Sequence, residues 1–370
     1  MPRIDVFEME RMQSLHWHEV DYDLSESGVT AMSIADLLGN DVDQVLATRL
    51  GYPLSEGAPE TRAAIASWYP GAAVENVTVV NGGSEANLLA LWSLLEPDDR
   101  LAFMVPNYLQ GGALGRHFGI GTDTFALVGS GSRWALDVDA LRAAVGPRTK
   151  VVMVCNPNNP TGAVLSEAEM DAVVDVAGSV GAWIVADEIY RGAEVDTDEL
   201  TPTFWGRYER VAVTSGLSKA FAMPGLRVGW IVAPRELIEQ VWIHHDYTTL
   251  TPGMLSDRLA GAAMTPGTRE RVLDRTRAIV RHNLPPIESW VAKHDGVLSY
   301  VRPVAGAIAY LEYELPIDSM ELVDRVRLEQ SVLVVPGHMF GLGKGFRVGF
   351  GFDPEHTVEG LDRISPYLSA

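Results

Sequence analysis

The sequence predicts an α/β protein: a large domain on a mostly parallel sheet, joined to a smaller α+β domain. Three observations carry this. Short, continuously apolar runs recur over the first two-thirds of the chain, the pattern of strands covered on both faces. Helical stretches sit between several of them, and such alternation builds a parallel sheet through crossovers. Beyond about residue 255 the texture changes to a charged helix and then a meander of strand-like segments. The large domain is expected over 39–250, and the small one over 1–38 with 251–370.

Residues 1–38 hold no strand series and are expected to pack against the small domain. HWH, at 16–18, reads as a packing feature or as a cluster near a substrate. Val77–Val80 is the first buried run, and NGGSEANLLAL follows it. Gly82 and Gly83 permit close backbone approach, and Ser84 opens a helix. Free N–H groups and the helix dipole there suit an anion. GxGxxG is absent, so this is no dinucleotide fingerprint. Leu101–Val105 leads to PNYLQ, which puts Tyr108 where an aromatic can cover a flat ligand. Val151–Cys155 ends in NPNNPTG, whose prolines stop the strand and hold Asn159 at the sheet edge. Ser166 and Glu169 form a capping box for the next helix. Trp183–Ala186 runs into DEIYRG. Asp187 there ends an apolar strand and calls for a cationic partner, with Tyr190 three positions on. Val211–Thr214 leads to SGLSKAFAMPGLRVGW. That segment spends Lys219, one of only four lysines, among small residues, with Arg227 eight positions later. Val228–Val232 closes the series. A charged helix around Glu270–His282 then precedes the meander of VLSYVRPVAGAIAYLEYEL, VLVVPG and FRVGFGF. With right-handed crossovers, the loops after the strands gather on one sheet edge, where ligands bind.

Together NGGSEA, PNY, NPNNPTG, DEIY, SKAFAMPGLRVGW and FRVGF stand in the order and approximate spacing of the class I/II aminotransferases. The chain resembles that family from about Gly28 to Arg347. The resemblance implies fold type I, the aspartate-aminotransferase fold, and pyridoxal 5'-phosphate (PLP) as cofactor. It implies Lys219 as the Schiff-base lysine and Asp187 as partner of the pyridine nitrogen. It implies Tyr190 and Asn159 as partners of the ring's phenolate oxygen, and Tyr108 as the aromatic on the ring face. Gly83, Ser84, Ser218 and Arg227 correspond to the phosphate clamp. Arg347, with Gly28 and Asn159, corresponds to the site for the substrate carboxylate. Tyr52, in GYPLSEG, is similar to the tyrosine that crosses a dimer interface, and Thr248 or Thr249 could add a cross-subunit phosphate contact.

The chemistry of such a cofactor suits these residue types. A lysine near a phosphate, a pyridinium and an arginine can shed its proton and attack an aldehyde. A carboxylate keeps the ring nitrogen protonated, so the ring accepts electrons from Cα. An arginine grips a carboxylate through two parallel bonds. One position departs from the family: a serine is frequent three residues before the lysine, where this chain has Gly216, with Ser215 one step earlier.

The implied activity is transfer of an amino group between an L-amino acid and a 2-oxo acid through Lys219. SESGV, at 25–29, resembles a branch of the same fold that includes capreomycidine synthase, so a cyclase or lyase acting on a modified amino acid is the alternative. A homodimer with small-molecule substrates is implied.

Bulk properties restrict the rest. The chain has 370 residues, a net charge of −20 and 47% hydrophobic content. This acidity disfavours nucleic acid and anionic membranes as partners. Asp5, Glu8 and Glu10 interrupt the N-terminus, so no signal peptide is expected, and a cytoplasmic location follows. One cysteine, Cys155, excludes an internal disulfide. His244, His245 and Asp246 only superficially suggest a metal cluster, and no metal is expected. Phe204-Trp205 reads as core or interface.

Overall fold

The computed structural model describes residues 4–368. A helix, Glu8–His16, leads to the two-residue strand β1 (Tyr22–Asp23). The large sheet then takes β2 (Val77–Val80), β3 (Arg100–Val105), β4 (Gly121–Ser130), β5 (Arg133–Leu136), β6 (Thr149–Cys155), β7 (Trp183–Asp187), β8 (Val211–Gly216) and β9 (Gly229–Val232). Their spatial order is β2-β9-β8-β7-β6-β3-β4-β5. The pairs from β4 through β3, β6 and β7 to β8 are parallel. Both rims are antiparallel: β9 against β8 and β2, and β5 against β4.

The expected apolar runs all lie in this sheet, and period two explains why they read as continuous. In β6, Val152 and Val154 enter one core while Val151 and Met153 enter the other. Ile184 and Ala186 oppose Val185 in β7 in the same way. Full burial of such a side chain contributes about 1.5–3 kcal/mol. Two strands escaped the reading. β4 hides a four-residue apolar run, Phe125 to Val128, behind Thr, Asp and Gly, and β5 is only four residues long and opens on Arg133.

The second body contains β10 (Leu298–Tyr300), β11 (Ile308–Tyr313), β12 (Val332–Leu333), β13 (Val335–Pro336) and β14 (Phe346–Gly349). Among the described residues they form a four-stranded antiparallel sheet, β10-β11-β14-β13, while β12 pairs with β1. Leu24 and Val29 join its core, so the N-terminal segment packs there. The helix Met254–Met264 lies elsewhere. Its Leu259, Ala260 and Ala263 belong to the core of the large sheet. The next helix, Thr268–Ala292, places Val272 and Leu273 in that core and Val280, Leu284 and Trp290 in the small one. We therefore propose that the division falls within this helix rather than at 250/251. Among the described residues no helix is long and apolar enough to cross a membrane.

Candidate active site

Register brings the site together. Cys155, Asp187 and Thr214 stand side by side at the C-terminal ends of β6, β7 and β8. Asn159, Tyr190 and Lys219 follow within a few residues each, so one sheet edge presents all three. A cavity of about 450 Å³ opens there. Gly83, Ser84, Tyr108, Asn159, Asp187, Tyr190, Ser218, Lys219, Arg227 and Arg347 all line it.

Asp187 lies at the cavity floor. Its Oδ2 accepts from Asn87 Nδ2 at 2.9 Å, and its Oδ1 from the Ile189 N–H at 3.1 Å. Asn87 is itself aimed, because its Oδ1 accepts from the Thr214 hydroxyl at 2.6 Å. Burial raises the Asp187 carboxyl, against these hydrogen bonds. Among the described residues no cationic side chain makes an ion pair with it. A buried acid in this state is stabilised by an incoming N–H cation.

The clamp region is a helix N-terminus. Gly82 (φ 98) precedes the helix Gly83–Leu94 and offers no side chain to cap it. The Arg227 guanidinium lies against it: a Cβ on Gly82 would meet Nη2 at 2.6 Å. First-turn N–H groups and an arginine therefore share one place, which suits a phosphate.

Arg347, on β14, is 2% exposed. Its Nη1 donates to Asn159 Oδ1 at 2.8 Å and its Nη2 to the Ser25 carbonyl. Its Nε has no partner. Burial lowers its pKa, and Tyr190 and Glu26 oppose that. Tyr190 donates to Ser27 Oγ at 2.9 Å, and burial raises its hydroxyl. Lys219 Nζ donates to Glu26 Oε1 at 2.7 Å.

Tyr108 does not lie free as a cover. Its hydroxyl donates to Glu10 Oε1 at 2.7 Å and its ring meets Phe7 edge-on at 4.9 Å. That ties the large body to the N-terminal helix, whose Met9, Glu10 and Gln13 roof the cavity with Trp17. From HWH only Trp17 lines it. His16 bonds Glu19 at 2.9 Å.

Several residues lie outside the cavity lining. Tyr52 is 86% exposed. Gly28 stands behind the wall, its N–H donating to Glu26 Oε1 at 2.8 Å. Ser215 is buried and bonds the Glu188 carbonyl at 3.3 Å. Thr248 bonds the His245 carbonyl, and Thr249 bonds Glu85. His244 packs on Trp92, while buried His245 meets Thr249 at 3.1 Å. Phe204 is core. Gly216 has a steric reason. It pairs with Gly229, and a Cβ on it would meet the Val228 carbonyl at 2.7 Å. Gly229 in turn abuts Gly82, its Cβ position 2.4 Å from that carbonyl carbon.

Sequence reasoning missed Asn87 and Glu26. Asn87 lies one turn after Gly83 in a helix otherwise rich in leucine and alanine, and that lone amide was the available signal. Glu26 had none beyond its place in SESGV.

A family model, aminotransferase class I and II, matches residues 40–364. The chain belongs to the class I and II aminotransferase family. Capreomycidine synthase from Streptomyces vinaceus is 30% identical over 94% of the chain and 89% of its own length. A PLP-dependent aminotransferase from Streptococcus suis superposes with a TM-score of 0.91 at 27% identity, covering 99% of this chain and 98% of that one. The PLP-dependent cyclase OrfR gives 0.88 at 30% identity, covering 99% and 97%. Class I and II aminotransferases are PLP-dependent enzymes of fold type I, and this chain shares that fold and cofactor dependence. The donor set fits the cofactor: an uncapped helix N-terminus with Arg227, a buried acid with no ion-pair partner among the described residues, and a lysine on the same cavity wall.

Below the site, Glu188 is fully buried. Its Oε1 accepts from Phe204 N–H and the Thr203 hydroxyl, while its Oε2 has no hydrogen-bond partner and stands 4.0 Å from Arg191 Nε. Burial pushes its carboxyl up to about 7 from an ordinary 4.5, with Arg191 opposing. The folded chain therefore holds this proton to higher pH than the unfolded one. Its stabilising effect is fully present below about pH 4.5 and is lost as pH rises to about 7. Glu188→Gln is expected to flatten the fall of the thermal midpoint across that window. Parallel profiles for the two proteins would refute this.

Proposed function

We propose that the chain is a transaminase moving an amino group between an L-amino acid and a 2-oxo acid. The observation that carries it is the convergence of Lys219, buried Asp187 and an Arg347 with an unpartnered Nε on one cavity. Bound there, PLP would supply an aldehyde that joins an amine and a ring that withdraws electrons from the substrate Cα.

The chain's own residues do the rest. The N–H groups at Gly83 and Ser84, with Ser218 and Arg227, would hold the phosphate. Asp187, aimed by Asn87, would keep the ring nitrogen protonated. Tyr190 and Asn159 would bond the ring oxygen, and Tyr108, tied to Glu10, would stand at the ring face. Arg347 would take the α-carboxylate, its other guanidinium nitrogens already aimed by Asn159 and Ser25. Lys219 lines the same cavity, and its amine would remove the Cα proton and return it. The roof of Met9, Glu10, Gln13 and Trp17 limits water.

Exposed Leu46, Leu50 and Tyr52, with Trp242 and Tyr247, support a homodimer in which Tyr52 reaches the partner's phosphate. Incubation with one amino acid and no oxo acid should convert the cofactor to its amine form, read by absorbance, with release of the 2-oxo acid. A second reading, a cyclase or lyase, is favoured by Glu26 beside Lys219 and by the likeness to capreomycidine synthase. Ring closure or ammonia release without amine-form cofactor would establish it instead.

A further inference from the structure

We propose that Glu26 is a positioning residue for Lys219, its carboxylate holding the amine's proton and aiming Nζ into the cavity. The proposal rests on the reading of Lys219 as the covalent anchor. The contact is direct, 2.7 Å between Nζ and Oε1, with both side chains only partly exposed at 23% and 30%. The carboxylate is fixed from behind. Gly28 N–H donates to the same Oε1 at 2.8 Å, and a Cβ at Gly28 would stand 3.1 Å from it. Glycine at 28 therefore lets the short loop fold its own glutamate toward the lysine.

Other charged groups stand close by. Arg347 faces Glu26 from β14, Tyr190 from the loop after β7, and Asp23 from β1. Asp187, Arg227 and Glu10 line the same cavity from three other elements. Burial pushes the Glu26 carboxyl up, and Lys219 with Arg347 and the Gly28 N–H more than reverse it, leaving it below its ordinary value. Glu26 thus stays ionised, a charged acceptor for the Lys219 N–H.

Two opposite consequences follow. An amine needs to be neutral to add to an aldehyde: a C–N bond forms, and the carbonyl oxygen leaves as water once the ammonium's proton has passed to solvent. Glu26 slows that capture at neutral pH. A proton taken from Cα, by contrast, rests on Lys219 beside a carboxylate, so Glu26 favours abstraction.

The test uses the full-length chain without cofactor. Trace acetylation with acetic anhydride across pH, followed by peptide mass spectrometry, reads the neutral fraction of each lysine. Lys150, Lys293 and Lys344 serve as internal references. In Glu26→Gln the pH profile of Lys219 labelling should move so that its labelling at neutral pH rises several-fold against those references. Glu26→Asp, which keeps the charge, should restore most of the profile. An unchanged profile in Glu26→Gln overturns the proposal. So does faster labelling by the same factor at every pH, which reports access alone. Because no cofactor is present, failure here is separable from failure of Lys219 as anchor, which is read by whether Lys219→Ala still bonds PLP.

Discussion

Lys219→Ala should lose the absorbance of a lysine-bound cofactor and turn over at least about 10⁴-fold more slowly. The upper range for one general acid–base group is about 10⁴, and here the covalent attachment disappears as well. No other amine can take over. Lys150, Lys293 and Lys344 are absent from the cavity wall. The fold should survive, since Lys219 contributes one partly exposed ion pair with Glu26, and such pairs are worth about 1 kcal/mol or less. Absorbance spectra and single-turnover rates on protein with a native melting profile check this. Retained spectra in the alanine protein would remove Lys219 from its role.

Asp187→Asn separates the chemistry from the fold. The two side chains have the same shape, so the Ile189 N–H keeps its acceptor, while the new amide NH2 meets the Asn87 Nδ2 donor and one hydrogen bond is lost against the relief of a buried charge. What disappears is the negative charge that holds a ring nitrogen protonated. Loss of one preorganised electrostatic partner typically costs about 10²–10³ in turnover, and kcat should fall by that order. PLP should also dissociate more readily. Stability should move the other way. The carboxyl is raised by burial, so its ionised form works against the cofactor-free fold at neutral pH. The asparagine protein without PLP should therefore melt no lower than the parent at pH 7. Unchanged kcat, or a strongly destabilised cofactor-free protein, would contradict this account of Asp187.

How much was legible can be argued from single residues. The six buried runs and the polar residues after them stand out because a central strand excludes polar atoms until its end. Asp187 ends such a run, and Asn159 and Lys219 each follow one within a few residues. β4 and β5 went unread, because the first half of β4 carries Thr, Asp and Gly and the rim strand β5 is short and opens on Arg133. The extent of the large core past residue 250 was hidden as well, since one helix serves both cores and its only break signal, Pro285-Pro286, lies well beyond the residues that enter the large core. Glu26 shows a sharper limit. It meets Lys219 across 193 positions of chain, and nothing local to either residue announces the other. Ser215 shows the reverse case. It sits near the lysine in sequence, yet strand alternation turns it to the buried Glu188 side.

Gly82, Gly216 and Gly229 meet where three chain segments cross beside the clamp, and backbone fills the space that side chains occupy elsewhere. Such a floor has no intermediate settings. A side chain at Gly216 or Gly229 would displace backbone, and one at Gly82 would displace the Arg227 guanidinium, so variation there is all or nothing. The roof is the opposite: Met9, Glu10, Gln13 and Trp17 come from one short N-terminal stretch and can be exchanged one at a time. Substitutions in that stretch should reshape one wall of the cavity while leaving the glycine crossing intact.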